Sequence, residues 1–170
     1  MNYLAVVLAV FLPAAWVACS SGTPANGSSA GADTSGESGA PGADAAASCD
    51  PKFNPDTMAP GLTKPGNSGA LTFVLESIDP TPPVAQYNNW VLKVLDASGA
   101  PVADASFPMI KTWMPLHAHG SSIAPTWTSN GDGTYKTSVY LFMPGLWQVT
   151  FHAQSGTTTD TVMYTFCVGG

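Results

Sequence analysis

The chain has 170 residues, a formal net charge of −6 at pH 7, and five basic side chains, all of them lysines. Phosphate and guanine are bound in bidentate fashion mainly by arginine, so the lack of arginine and the negative charge argue against a nucleic-acid partner. The net negative charge is also compatible with a simple contribution to solubility.

The first eighteen residues predict an export signal. Residues 2–18 are almost wholly apolar, are short for a membrane-spanning helix, and end in small residues before Cys19. An apolar core that ends at small residues is typical of a secretory signal peptide. The stretch WVACSS also resembles the lipobox of bacterial lipoproteins, which implies that residues 1–18 are removed and that Cys19 is lipidated. The alternative is an ordinary signal peptide or an uncleaved anchor, since no Lys or Arg precedes the apolar run.

Residues 19–48 predict a flexible tether. After Cys19 the segment contains only Ser, Gly, Ala, Thr, Pro, Asn and three acids. Without aromatic or large aliphatic side chains it cannot bury enough surface to offset its chain entropy, so we expect disorder. Such a segment would hold a domain on the order of 30 Å from its anchor. We therefore expect a bacterial envelope protein held to a membrane by lipid, periplasmic or surface-exposed.

The remaining residues, 49–170, suit one domain with a single core. If Cys19 is lipidated, Cys49 and Cys167 remain as a pair near the two ends of this domain. In an exported protein such a pair predicts a disulfide. The alternative is a thiol metal site, which is disfavoured because no other Cys or His lies near either cysteine in the sequence.

The domain shows strand signals and no convincing helical periodicity. In chain order, the segments rich in strand-forming residues are 70–78, 89–96, 106–114, a short piece around Trp127, 134–143, 146–153 and 160–168. Between them lie a turn at DASGAP, the hairpin signal NGDGTY and the Pro-Gly step before Leu146. About seven short strands at near-regular spacing predict an all-β sandwich.

Several motifs resemble those of YtkA-like and FixH-like exported domains. The stretches VLKVLDASGAPVADA, TWMPLHAHG and GDGTYKTSVYLFMPGLWQVTF follow the family's order of D-x-x-G-x-P-V, M-P-x-H, G-x-Y and M-P-G-x-W, and they cover 89–151. The resemblance implies an immunoglobulin-like β-sandwich of about seven strands in the bacterial envelope. Some relatives are associated with copper handling, so it also implies copper as a candidate cofactor.

The candidate metal ligands are His117 and His119, followed by Met114 and His152. On an extended segment two imidazoles two residues apart project to one side, whereas Met114 would point to the other. His152 lies on the polar face of its strand. Imidazole with thioether suits Cu(I), and imidazole alone suits Cu(II) or Zn(II). The alternative is that His117 and His119 flank a loop and face water.

The sequence lacks the residue patterns of other known metal sites and of serine hydrolases. No Glu follows the H-x-H as in a cupin, no His or Met follows Cys167 as in a blue-copper loop, and neither a C-x-x-C pair nor a G-x-S-x-G elbow occurs. We therefore expect no enzymatic activity. The rival to copper binding is a metal-free structural or protein-interaction module with an envelope protein as partner, in which Trp113 marks a contact surface.

Overall fold

The computed structural model describes residues 49–169, so the predicted signal, lipidation site and tether lie outside the described residues. A 3₁₀ helix, Pro51–Phe53, precedes eight strands: β1 (Leu62–Pro65), β2 (Leu71–Asp79), β3 (Gln86–Asp96), β4 (Ser106–Trp113), β5 (Thr126–Ser129), β6 (Thr134–Leu141), β7 (Gly145–Ser155) and β8 (Thr158–Val168). Among these described residues no helix has the length and apolar character needed to cross a bilayer.

The strands form two antiparallel sheets, so the predicted all-β sandwich is confirmed. One sheet has five strands in the order β1-β2-β3-β6-β5, and the other has three in the order β4-β7-β8. Seven strands match the predicted segments, and β1 is the strand that the sequence did not predict. The strands on either side of the Pro-Gly step, β6 and β7, are not hydrogen-bonded to each other because they belong to different sheets.

The core lies between the two sheets and is dominated by aromatic rings. Trp90 of β3 is 1% exposed. Its ring lies 6.1 Å from that of Phe151 on β7 and 5.6 Å from that of Phe166 on β8. Phe107 of β4 packs in the same way on Tyr135 of β6, with ring centroids 5.2 Å apart. These contacts join opposite sheets, and burial of large aromatics is a main source of stability in such a fold.

The predicted disulfide joins Cys49 to Cys167, with the two Cα atoms 5.6 Å apart. The segment after Cys49 then runs beside β8, where the Asp56 amide donates to the Thr165 carbonyl and the Thr165 amide donates to the Asp56 carboxylate. Asp56 also binds the Lys64 ammonium of β1 at 2.8 Å. The N-terminal segment therefore covers part of the edge of the smaller sheet, which leaves fewer strand groups unpaired.

Candidate functional site

The segment with the two neighbouring histidines forms a tight turn after β4. Met114 and His119 make an antiparallel bridge, in which the Met114 amide donates to the His119 carbonyl at 2.8 Å. Ala118 has a left-handed backbone with φ of 54°, and its amide donates back to the Met114 carbonyl at 2.9 Å. The expected extended segment is therefore wrong in detail: Pro115 ends the strand, and the four residues between Met114 and His119 reverse the chain.

The turn nevertheless brings the two imidazoles together. The ring centroids of His117 and His119 lie 5.7 Å apart, with an angle of 40° between the ring planes. His117 is exposed and His119 is half-buried. Nδ1 of His119 lies 3.4 Å from the Gly120 carbonyl oxygen. A hydrogen on this Nδ1 would leave Nε2 unprotonated, which is the form that a metal ion requires.

An aromatic side chain supports the His119 ring. Phe142, which follows β6, packs on it at a tilt, with ring centroids 5.2 Å apart and 30° between the planes. Phe142 packs in turn against the edge of Trp147, with centroids 5.7 Å apart. The Trp147 indole N–H donates to the Met143 carbonyl at 2.9 Å. Phe142, which packs on Trp147 of the M-P-G-x-W motif, thus links that motif to the histidine turn and restricts the orientation of one imidazole.

The return of the chain after the turn depends on Gly120 and Thr112. The Ser121 amide donates to the Thr112 hydroxyl at 3.1 Å. A Cβ at position 120 would overlap the Thr112 carbonyl oxygen, so only glycine fits without a shift of the backbone. Sequence reasoning named neither residue and also missed Phe142. Their roles come from contacts between segments that no local pattern encodes, although the position of Phe142 beside the M-P-G step was a usable hint.

The structure does not bring all four predicted ligands together. Met114 is fully buried in the core between the sheets. His152 lies opposite Met109 on β4, whereas the last residue of β4, Trp113, lies opposite Gln148. The four-residue difference places His152 about 14 Å along the strand from the end that carries the turn. Within residues 49–169, no three His, Cys, Asp or Glu side chains are arranged to hold a metal ion. The four-residue site remains a prediction, and the geometry favours only its two imidazoles.

Two other motifs of the sequence have structural explanations. In DASGAPV, the Asp96 carboxylate accepts hydrogen bonds from the amides of Ser98 and Ala100. In GDGTY, the Tyr135 hydroxyl donates to the Val102 carbonyl at 2.6 Å and accepts from the Ala105 amide at 2.8 Å. The two motifs therefore stabilise the connection between β3 and β4.

Comparison with known proteins agrees with these motifs. The chain matches the model of the YtkA-like family over residues 67–152. Neither the curated proteins nor the solved structures include a significant match. The matched region contains both the histidine turn and the M-P-G-x-W motif and spans just over half of the sequence. The chain therefore belongs to the YtkA-like family.

Proposed function

We propose that this protein is a non-catalytic, membrane-anchored envelope lipoprotein whose β-sandwich binds copper through His117 and His119. The observation that carries the proposal is the 5.7 Å separation of the two imidazole rings at one end of the sandwich. A metal–nitrogen bond of about 2 Å and roughly 1 Å from nitrogen to ring centroid let two imidazoles share one ion at centroid separations up to about 6 Å. The observed rings fall within that range.

The surroundings support imidazole ligation. The ring of His119 is held by Phe142, and its Nδ1 faces the Gly120 carbonyl. A ligand that is already oriented loses less conformational freedom when it binds an ion. Imidazole is a suitable ligand for copper, as it is for zinc, and the remaining coordination positions would be open to water or to a donor from a partner. A site of this kind can acquire and release an ion more readily than a closed four-ligand site.

Membrane attachment is the second part of the proposal. It depends on the apolar run of residues 2–18 and on Cys19, followed by a Ser/Gly/Ala-rich segment. Lipid on Cys19 and a leash of about 30 Å would keep the copper site near the membrane surface. Metabolic labelling with a lipid precursor tests this part: Cys19→Ser should abolish incorporation of label and release the protein from membranes.

The copper site is tested by titration of the full chain with Cu(II), followed by electron paramagnetic resonance. We expect nitrogen couplings from two imidazoles. The double variant His117→Asn/His119→Asn should bind Cu(II) at least tenfold more weakly. Asparagine keeps a polar side chain at two positions that are not in the core, so the stability of the fold should be nearly unchanged.

The matched control is His152→Asn, which removes the third histidine of the chain. Because His152 lies far from the turn, this variant should retain the Cu(II) affinity of the wild type. Unchanged Cu(II) affinity in the double variant would eliminate the site. An equal loss in the control would show that the two-imidazole geometry is wrong.

A specific observation favours a second candidate, a metal-free interaction surface. Leu116 in the turn and Phe142 beside it are each 40% exposed, so two large apolar side chains lie at the surface next to the polar histidines. Exposed apolar side chains with polar neighbours are typical of protein contact sites. Photo-crosslinking in cells from position 116 would distinguish the two functions. A crosslink that persists with a copper chelator and in the double histidine variant would favour the interaction module.

A further inference from the structure

A groove crosses the outer face of the larger sheet and is separate from the histidine turn. Its volume is about 380 Å³, which lies within the range of about 300–1,000 Å³ that is usual for small-ligand sites. Six of the side chains that line it are short and polar, namely Ser77, Asp79, Asn89, Thr126, Thr128 and Ser138. This outer groove therefore has the size of a binding site and a polar lining.

The strand register places four of these polar side chains in one row across the sheet. Asn89 of β3 lies directly opposite Asp79 of β2 and Ser138 of β6. Ser138 in turn lies opposite Thr126 of β5. Because neighbouring strands are about 4.8 Å apart, the row from β2 to β5 is roughly 14 Å long. A ligand that uses the whole row must therefore be an extended molecule rather than a single small ring.

A second row lies beside the first on the same face of the sheet. Val91, two residues along β3 from Asn89, lies opposite Ser77 of β2 and Lys136 of β6. Lys136 in turn lies opposite Thr128 of β5. Val91 is half-buried. The second row therefore offers a small apolar surface flanked by groups that form hydrogen bonds.

An aromatic pair borders the first row. Tyr87 of β3 lies opposite Tyr140 of β6, and the two rings meet edge to face with centroids 4.8 Å apart. Asn88 is fully buried, so Tyr87 and Asn89 lie on the same outer face. Tyr87 is 55% exposed, which leaves much of its ring accessible to a ligand in the outer groove.

The fold does not use the short polar side chains of the outer groove. Neighbouring groups on the same sheet are paired: the Lys93 ammonium lies 3.3 Å from the Glu76 carboxylate, and the Tyr140 hydroxyl donates to the Gln86 side chain. Within residues 49–169, by contrast, the six short polar side chains make no hydrogen bond or ion pair with another protein group. Their hydroxyl, amide and carboxyl groups are therefore available to a ligand.

The charges of the outer groove favour a neutral ligand. Its lining contains one carboxylate, that of Asp79, and one ammonium, that of Lys136. The chain as a whole has a net charge of −6, which would repel a polyanion. Serine, aspartate and lysine are depleted at the centres of protein–protein interfaces, so this lining is also a poor match for a protein partner.

We propose that the outer groove binds a neutral oligosaccharide. Hydroxyl and amide groups both donate and accept hydrogen bonds, as the hydroxyls of a sugar do. The C–H groups on the face of a sugar ring would pack on Val91 and on the Tyr87 ring, whose face is weakly negative. The length of the row requires several sugar units. The proposal does not depend on copper binding, because the histidine turn contributes no residue to the outer groove.

The test is isothermal titration calorimetry of the full chain, in a detergent without a sugar headgroup, with cellopentaose, maltopentaose and the pentamer of N-acetylglucosamine. At least one of the three should bind with a dissociation constant below about 1 mM. The double variant Asn89→Ala/Thr126→Ala should weaken this binding at least tenfold, because it removes an amide and a hydroxyl from the first row. No binding of any of the three sugars, or a smaller effect of the double variant, would overturn the proposal.

The matched control is Gln148→Ala/Thr150→Ala, which removes an amide and a hydroxyl from the outer face of the smaller sheet. Its affinity for the sugar should stay within twofold of the wild type, and a loss equal to that of the first double variant would overturn the proposal. None of the four positions is in the core, so both variants should remain folded.

A second readout is the NMR signal of the backbone amides. The bound sugar should shift those of Asn89, Val91 and Ser138 and leave those of Gln148 and Thr150 in place, and the opposite pattern would overturn the proposal. Photo-crosslinking in cells from position 89 gives the remaining outcome. Capture of a protein there, combined with no binding of the three sugars, would assign the outer groove to a protein partner instead.

Discussion

At the scale of single residues, Asp160 is the most heavily bonded carboxylate in the described part of the chain. It is 4% exposed. Its oxygens accept hydrogen bonds from the amides of Ala70 and Leu71, each at 2.9 Å, and from those of Ser68 and Thr161. A single side chain of β8 thus fastens the turn between β1 and β2, which no sequence pattern indicated.

We expect Asp160→Asn to destabilise the domain by about 2–4 kcal/mol, because the amide nitrogen of Asn cannot accept a hydrogen bond and would leave buried amides without an acceptor. Urea unfolding of the full chain measures this loss in the free energy of unfolding. Gly66→Ala should act on the same contact, because a Cβ there would overlap the Asp160 carboxyl group. Gly169→Ala, which meets nothing within 4 Å, is the control and should change the stability little.

The Asp160 carboxylate makes the stability of the domain depend on pH. Burial by itself raises the pKa of Asp160, but the hydrogen bonds from the amides of Ser68, Leu71 and Thr161 outweigh it, so the pKa lies below the ordinary 3.8. A lower pKa in the folded chain means that protonation favours unfolding. The stabilisation is therefore complete above pH 3.8 and is lost as the pH falls through the folded value. Between pH 5 and pH 2, Asp160→Asn should lose less stability than the wild type; parallel pH profiles would contradict this.

Tyr135 supports a second prediction at this scale. Its hydroxyl joins the Val102 carbonyl to the Ala105 amide, and the side chain is fully buried. Tyr135→Phe should cost about 2–3 kcal/mol, because two backbone groups lose their partner. Tyr140→Phe is the control, since its hydroxyl donates to the Gln86 side chain near the surface and, among the described residues, joins no backbone groups. Thermal unfolding of both variants compares their losses of stability. Equal losses would show that the Tyr135 hydroxyl contributes no more than an ordinary surface hydroxyl.

At the scale of the elements, the sequence predicted strands where the burial pattern is regular. In β7 the alternation of Trp147, Val149 and Phe151 with polar residues predicted both the strand and its inner face. The sequence did not predict β1, because a four-residue edge strand that ends at Pro65 has too little pattern to stand out. The histidine turn was also not predicted, because its shape depends on the bridge to Met114 and on the fit of Gly120 against Thr112.

The contact between the end of β6 and the histidine turn gives a prediction for copper binding. Phe142→Leu removes the ring that packs on His119, and such aromatic pairs contribute about 0.5–1.5 kcal/mol. We expect the Cu(II) affinity to fall about two- to tenfold, with little change in stability because Phe142 is 40% exposed. Titration with Cu(II) measures the effect. Tyr87→Leu, which changes an aromatic residue on the larger sheet that is 55% exposed, should leave the affinity unchanged.

At the scale of the whole molecule, the two ends of the domain are held together from several directions. The disulfide closes a loop with a sequence separation of 118 residues. Next to it, Asp56 bonds to Thr165 of β8 and to Lys64 of β1. The last strand, β8, therefore binds the N-terminal segment and the β1–β2 turn through hydrogen bonds and carries one cysteine of the disulfide. These contacts hold the N-terminal end of the described domain against β8, so this end should not fray.

The disulfide gives the largest expected effect on stability. Closing a loop of this length restricts the unfolded chain and stabilises the fold by up to about 4–5 kcal/mol in the entropic treatment. The double variant Cys49→Ser/Cys167→Ser should therefore unfold at clearly lower urea concentration with a similar slope, whereas Cys19→Ser should not. Reduction of the wild type should reproduce the effect of the double variant. The double variant should still fold, because the contacts of Asp56 with Thr165 and Lys64 do not depend on the disulfide. If its free energy of unfolding differed from that of the wild type by less than about 1 kcal/mol, these contacts alone would hold the two ends together.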